Sequence, residues 1–86
     1  MLAAVMETEL RENLLRCARA YAEARKLQLS TLGKLAVSDA RFFTNLEGSG
    51  TTFTARKYDE VIRWFSDQWP DNVKWPRGIR RPEPVQ

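Results

Sequence analysis

The sequence predicts an all-α domain of four helices, and three observations carry that prediction. Apolar residues recur at three- and four-residue steps over two long stretches. Serine, aspartate and threonine stand where helices would start, and Gly48-Ser49-Gly50 and Pro70 stand where they would stop. No run of useful length alternates apolar with polar residues as a half-buried strand would, and the Thr51–Thr54 stretch reads as a loop.

The first helix is predicted over residues 3–26. Leu10, Leu14, Cys17, Ala18 and Tyr21 make one apolar stripe, widened by Leu15 and Ala22. Arg11, Arg16, Arg19 and Arg25 lie mostly off it. Glu7 and Glu12 each precede an arginine by four residues, which suggests surface ion pairs with Arg11 and Arg16. Such pairs contribute only about 0.3–0.5 kcal/mol each.

Leu27–Ser30 breaks the pattern. Ser30 is a suitable N-cap for a short second helix, Thr31–Ala36, and Asp39 for a third, Ala40 to Glu47. Gly48-Ser49-Gly50 would end the third helix through a left-handed glycine. Thr54 would cap a fourth, from Ala55 to about Trp69, with Tyr58, Val61, Ile62, Phe65 and Trp69 on its stripe. Pro70 stops it, and three of the chain's four prolines follow Pro70. Residues 71–86 therefore read as an extended or mobile basic tail after a domain spanning residues 1–70.

Gly33 is the unusual residue of the second helix. A glycine there costs about 1 kcal/mol of helix propensity relative to alanine. Close backbone approach at a tight turn is the simplest compensation. Phe43 and Leu46, three apart, would share the buried face of the third helix and pack with Leu32, Leu35 and Ala36.

Composition narrows the functional classes. With no histidine, the commonest general base and metal ligand are missing. The one cysteine, Cys17, allows neither an internal disulfide nor a cysteine zinc site, and it falls on the buried stripe. No Walker-type loop or carboxylate cluster is present. The chain is expected to be neither an enzyme nor a cofactor binder. Its 86 residues suit one modest core, and its net charge of +3 permits a nucleic-acid partner without requiring one. The apolar start, residues 1–6, is too short to span a bilayer and runs at once into acids, so a cytoplasmic location is expected.

The stretch LGKLAVSDARFFTNLEGSG, residues 32–50, resembles the helix-turn-helix of the lambda-repressor-like class of bacterial and phage DNA-binding regulators. Gly33 takes the small position of the first helix, Asp39 the cap, Phe43 and Leu46 the apolar pair, and Glu47-Gly48 the ending. The motif spans about residues 31–48 and the wider likeness about residues 12–69. Val37 departs from the pattern, falling where the turn usually has glycine. Phe42 falls at an often exposed position, open to the core, a dimer contact or DNA. The resemblance implies a compact helical fold whose third helix enters a DNA major groove, and a role in transcription regulation.

On that reading Ala40, Arg41, Thr44 and Asn45 are the base-reading candidates, since arginine can grip a guanine edge and asparagine an adenine edge. Ser30, Thr31 and Lys34, with Ser49, Thr51, Thr52, Arg56 and Lys57, are the candidate phosphate contacts. Lys74, Arg77, Arg80 and Arg81 are candidate tail contacts. The expected partner is double-stranded DNA, with a second copy of the chain, RNA polymerase or another regulator as further candidates. The rival reading is a protein-interaction module, an adaptor or antitoxin-like partner presenting Phe42, Trp64, Trp69 and Trp75. The alternative for Trp69 and Trp75 is that they fold back onto the core.

Overall fold

The computed structural model describes residues 2–48 and 53–82, and side chains from residue 8 onward. Its described residues form four helices: α1 (Leu2–Arg25), α2 (Leu29–Val37), α3 (Phe42–Glu47) and α4 (Ala55–Gln68). No strand occurs among them, and none of these helices is long and apolar enough to cross a membrane.

α1 is the central element and packs against the other three, while α2 also meets α3 and α4. Its stripe does what the spacing implies: Leu14, Leu15, Cys17, Ala18, Tyr21 and Ala22 are all buried. Val61, Ile62 and Phe65 of α4 face them, and Asn13 donates to the Tyr58 hydroxyl at 3.2 Å across the same seam. α1 ends in a Schellman turn. Lys26 adopts φ 57°, and the Leu27 N–H reaches the Ala22 carbonyl at 2.8 Å. A lysine in that conformation gives no sequence signal, because glycine is the usual occupant.

α2 begins two residues earlier than its spacing suggests, and this corrects two expectations. Ser30 lies inside the helix; Gln28 occupies the N-cap and makes no side-chain capping bond. Leu29, Leu32, Gly33 and Ala36 now form the inward stripe, with Leu32 and Gly33 fully enclosed. Leu35 lies about 110° around the helix from the centre of that stripe at 100° per residue. It is accordingly 56% exposed rather than part of the core.

The corner between α2 and α3 explains Gly33. The left-handed residue is Ser38, φ 58°, one position after Val37, which stays helical. The Ser38 N–H donates to the Lys34 carbonyl and the Asp39 N–H to the Gly33 carbonyl, both at 3.1 Å. The chain thereby folds back over α2, and a Cβ built on Gly33 would land on the Asp39 carbonyl oxygen. Close approach is thus confirmed, and the atom approached is backbone in the turn itself. Asp39 also organises the entry to α3. Its carboxylate accepts from the Arg41 N–H at 2.9 Å and its carbonyl from the Phe42 N–H at 3.2 Å. Ala40 and Arg41 therefore sit in a tight turn, and regular α-helix starts at Phe42 instead of Ala40. Arg41 occupies the N-cap with no side-chain capping bond, so Asp39 braces the turn and is not the cap expected from the sequence.

α3 buries Phe42, Phe43 and Leu46. Phe42 joins the core, its ring edge-on to Phe43 at 5.1 Å. Gly48 is right-handed (φ −80°) and caps the helix through bonds from its N–H to the Thr44 and Asn45 carbonyls, so no left-handed glycine is needed at that position. Ser49 to Thr52, including Gly50 of the expected stop, lie outside the described residues. Thr54 caps α4 as expected, accepting from the Lys57 N–H at 3.1 Å, and Trp69 is the residue just past its end.

The segment expected to be extended or mobile is instead a packed strap as far as Pro82. Trp69 donates from its indole to the Val73 carbonyl at 2.9 Å, and Trp75 to the Ile79 carbonyl at 2.7 Å. The two indoles meet at 4.9 Å, and Ile79 is buried. Arg81 latches the strap to the last turn of α4. Its Nε donates to the Ser66 hydroxyl at 3.1 Å and its Nη2 to the Ser66 carbonyl at 2.8 Å, a helix-end acceptor with no partner inside the helix. The same guanidinium stacks over Trp75, 5.1 Å from the ring centre. One basic tail residue, Arg81, is thus structural, because a strap without periodic apolar residues is fixed by individual side-chain bonds.

Candidate nucleic-acid interface

The four base-reading candidates fall together, at the start of and along α3. Arg41, Thr44 and Asn45 are exposed and Ala40 is half-buried. Phe42, Phe43 and Leu46 on the opposite side anchor the helix and dictate which residues face out. Phe43 rests on Phe65 of α4 at 5.9 Å between ring centres. The outward face is therefore set by apolar packing and by the turn that the Asp39 carboxylate braces, not by contacts of its own. Thr44 returns its hydroxyl to the Arg41 carbonyl at 3.1 Å, leaving its oxygen able to accept from a partner. No ion pair or hydrogen bond holds the side chains of Arg41 or Asn45 among the described residues.

At the far end of α3 the exposed Glu47 pairs with Arg19 of α1 at 3.1 Å. An exposed pair of this kind contributes about 1 kcal/mol or less. It places an arginine from α1 beside the helix end.

The phosphate candidates divide. Thr31 and Lys34 are exposed on α2, and Ser30 is half-buried in its first turn. Arg56 is exposed at the start of α4, while Lys57 lies 4.0 Å from Glu60. Ser49, Thr51 and Thr52 fall outside the described residues. Of the tail candidates, Lys74, Arg77 and Arg80 are exposed, whereas Arg81 is engaged by Ser66 and Trp75.

Two further arginines, which in the sequence read only as solvated helix face, lie beside this surface. Arg16 does not pair with Glu12 as its spacing suggests. Its Nη2 donates to the Arg77 carbonyl at 2.7 Å, and its Nη1 lies 4.0 Å from where a Cβ on Gly78 would stand. Arg19 follows one turn later with Glu47. Neither is visible as a site in the sequence, because the strap residue that meets Arg16 is 61 positions away in the chain.

Burial pushes the Cys17 thiol up to about 12, only partly opposed by the Arg16 charge, so it stays neutral and enclosed near neutral pH. Burial likewise raises the Tyr58 hydroxyl, despite its bond from Asn13. Among the described residues no group of three or more acids and cysteine gathers as a metal site would. Phe42 and Trp69, named for the rival aromatic surface, are buried; Trp64 and Trp75 remain partly exposed. Compared with protein-family models, with curated proteins and with solved structures, the chain matches none.

Proposed function

We propose that this chain is a small sequence-specific DNA-binding protein, a regulator of transcription, in which α2 and α3 act as a helix-turn-helix of the lambda-repressor-like type. The observation that supports the reading best is the corner itself. A turn seated on Gly33 leads directly into a short helix whose inner face is all apolar, with Arg41 exposed at its N-cap and Thr44 and Asn45 exposed along it. A helix presenting arginine and asparagine without internal partners suits the major groove, where the two side chains bond guanine and adenine edges. Lys34, Thr31, Arg56 and Lys57 would position it through phosphates. One helix of six residues reads few bases, so a second copy of the chain on a paired half-site, or another DNA-bound protein, would complete the specificity.

Selection from a pool of random duplexes, at near-physiological and at higher salt, tests this reading. An enriched motif, above all a palindromic one, is the expected result. Retention of all sequences alike, fading steeply with salt, would reduce the activity to phosphate binding. No retention at either salt would remove DNA as the partner.

A further inference from the structure

Arg16 and Arg19 of α1 and Arg77 of the strap are linked into a row whose Arg19 end lies against the last residue of α3. Arg19 lies against Glu47, the last residue of α3 and three positions after Thr44. Arg16 precedes Arg19 by three residues, so the two share a face of α1 at about 5–6 Å between Cβ atoms. Arg16 in turn holds the carbonyl of Arg77, which plants the root of a third exposed arginine next to it. Gly78, at φ 83°, makes the turn there, a conformation that favours glycine. Glu47 is the one carboxylate bonded into this row among the described residues, and Glu12, four residues before Arg16, makes no ion pair with it.

We infer that Arg16, Arg19 and Arg77 form a ridge that grips the sugar-phosphate backbone of duplex DNA alongside the groove occupied by α3. The inference rests on the proposed function and adds to it a binding surface on α1 and the strap, remote in sequence from the helix-turn-helix. Against three arginines the row holds one bonded carboxylate, Glu47, so it offers net positive charge to a polyanion. Guanidinium groups match phosphate in geometry, because each offers paired donors. The ridge also begins one helical turn from Thr44, where the backbone flanking an occupied major groove must pass. The docked strap is what supplies Arg77, which gives the latch of Arg81 on Ser66 a functional consequence.

The test compares binding of a short random-sequence duplex by the wild type and by Arg77→Gln, Arg16→Gln/Arg77→Gln and Glu47→Gln, each across a salt series and each with a thermal melt. Arg77→Gln keeps the carbonyl that Arg16 holds, so the strap stays docked. Its plot of log affinity against log salt is expected to flatten by about 0.9, and that of the double variant by about twice as much. Glu47→Gln frees Arg19 and is expected to tighten binding several-fold. If the wild type binds duplex and the ridge variants keep its slope, the ridge is wrong and the α3 reading stands. If the ridge variants lose slope while Arg41→Ala/Asn45→Ala leaves sequence preference unchanged, the ridge stands and the base-reading face is wrong. A wild type that binds no duplex overturns both.

Discussion

At the corner between α2 and α3, irregular backbone is held by backbone. The Asp39 N–H bonds the Gly33 carbonyl, the Asp39 carbonyl lies where a Gly33 side chain would be, and one carboxylate, that of Asp39, accepts from the Arg41 N–H within the turn. Along the strap after α4, irregular backbone is held by side chains. Two indoles and three arginine-borne bonds reach carbonyls or a hydroxyl that no helix or sheet satisfies. The first arrangement tolerates almost no change in shape at one position, whereas the second distributes its stability over several long side chains. The corner that orients α3 has the first kind of rigidity. A strap that carries arginines to a neighbouring surface can be built by the second.

Four substitutions probe that contrast, in order of expected effect. Trp69→Ala empties a buried ring that touches Tyr21, Phe65 and Trp75 and removes the bond to Val73. It is expected to cost about 3–5 kcal/mol, read by chemical denaturation, with exchange of the strap amides rising first. Gly33→Ala gains about 1 kcal/mol of helix propensity but drives a methyl group into a backbone carbonyl. The net loss expected is about 2 kcal/mol, with the spectral changes centred on α3 rather than on the strap. Arg81→Ala unlatches the strap at the end of α4 for about 1 kcal/mol, and hydrogen exchange is expected to change at residues 73–81 while α3 keeps its protection. Ser38→Gly relieves a left-handed residue and is expected to stabilise by about 0.5 kcal/mol, since part of the relief is offset by the freer unfolded chain. If Gly33→Ala proved neutral, the backbone account of the corner would fail. If Arg81→Ala disturbed α3 as much as the strap, the two regions would not be separate devices.

How much of the fold is legible in the sequence depends on how local each cause is. The stripes of α1 and α4 repeat every three to four residues, so Leu14, Tyr21, Val61 and Phe65 announce their burial. Gly33 and Thr54 are legible because one residue type has one good reason to be there. The start of α2 is not, because Leu27 and Leu29 blur the break before it; the two-residue shift turns Leu35 outward and takes Ser30 off the cap. The left-handed positions at Lys26 and Ser38 carry no glycine to mark them. The strap has no periodicity at all; its indole bonds span four residues each, but the arginine bonds that dock it to α4 and α1 span 15 and 61. For the same reason the candidate base-reading face, which is local to α3, can be named residue by residue from the sequence, while Arg16 and Arg19 cannot.

The central claim is that the outward face of α3 reads base edges. Its most direct test is to measure wild type and Arg41→Ala/Asn45→Ala side by side on the duplex selected by the wild type and on a scrambled duplex, with melting curves as the check on folding. Both side chains are exposed, so the variant is expected to melt with the wild type. It is also expected to bind the two duplexes alike, losing about 1–3 kcal/mol of discrimination for each bidentate contact removed. A folded variant that still prefers the selected duplex as strongly as the wild type would contradict the claim.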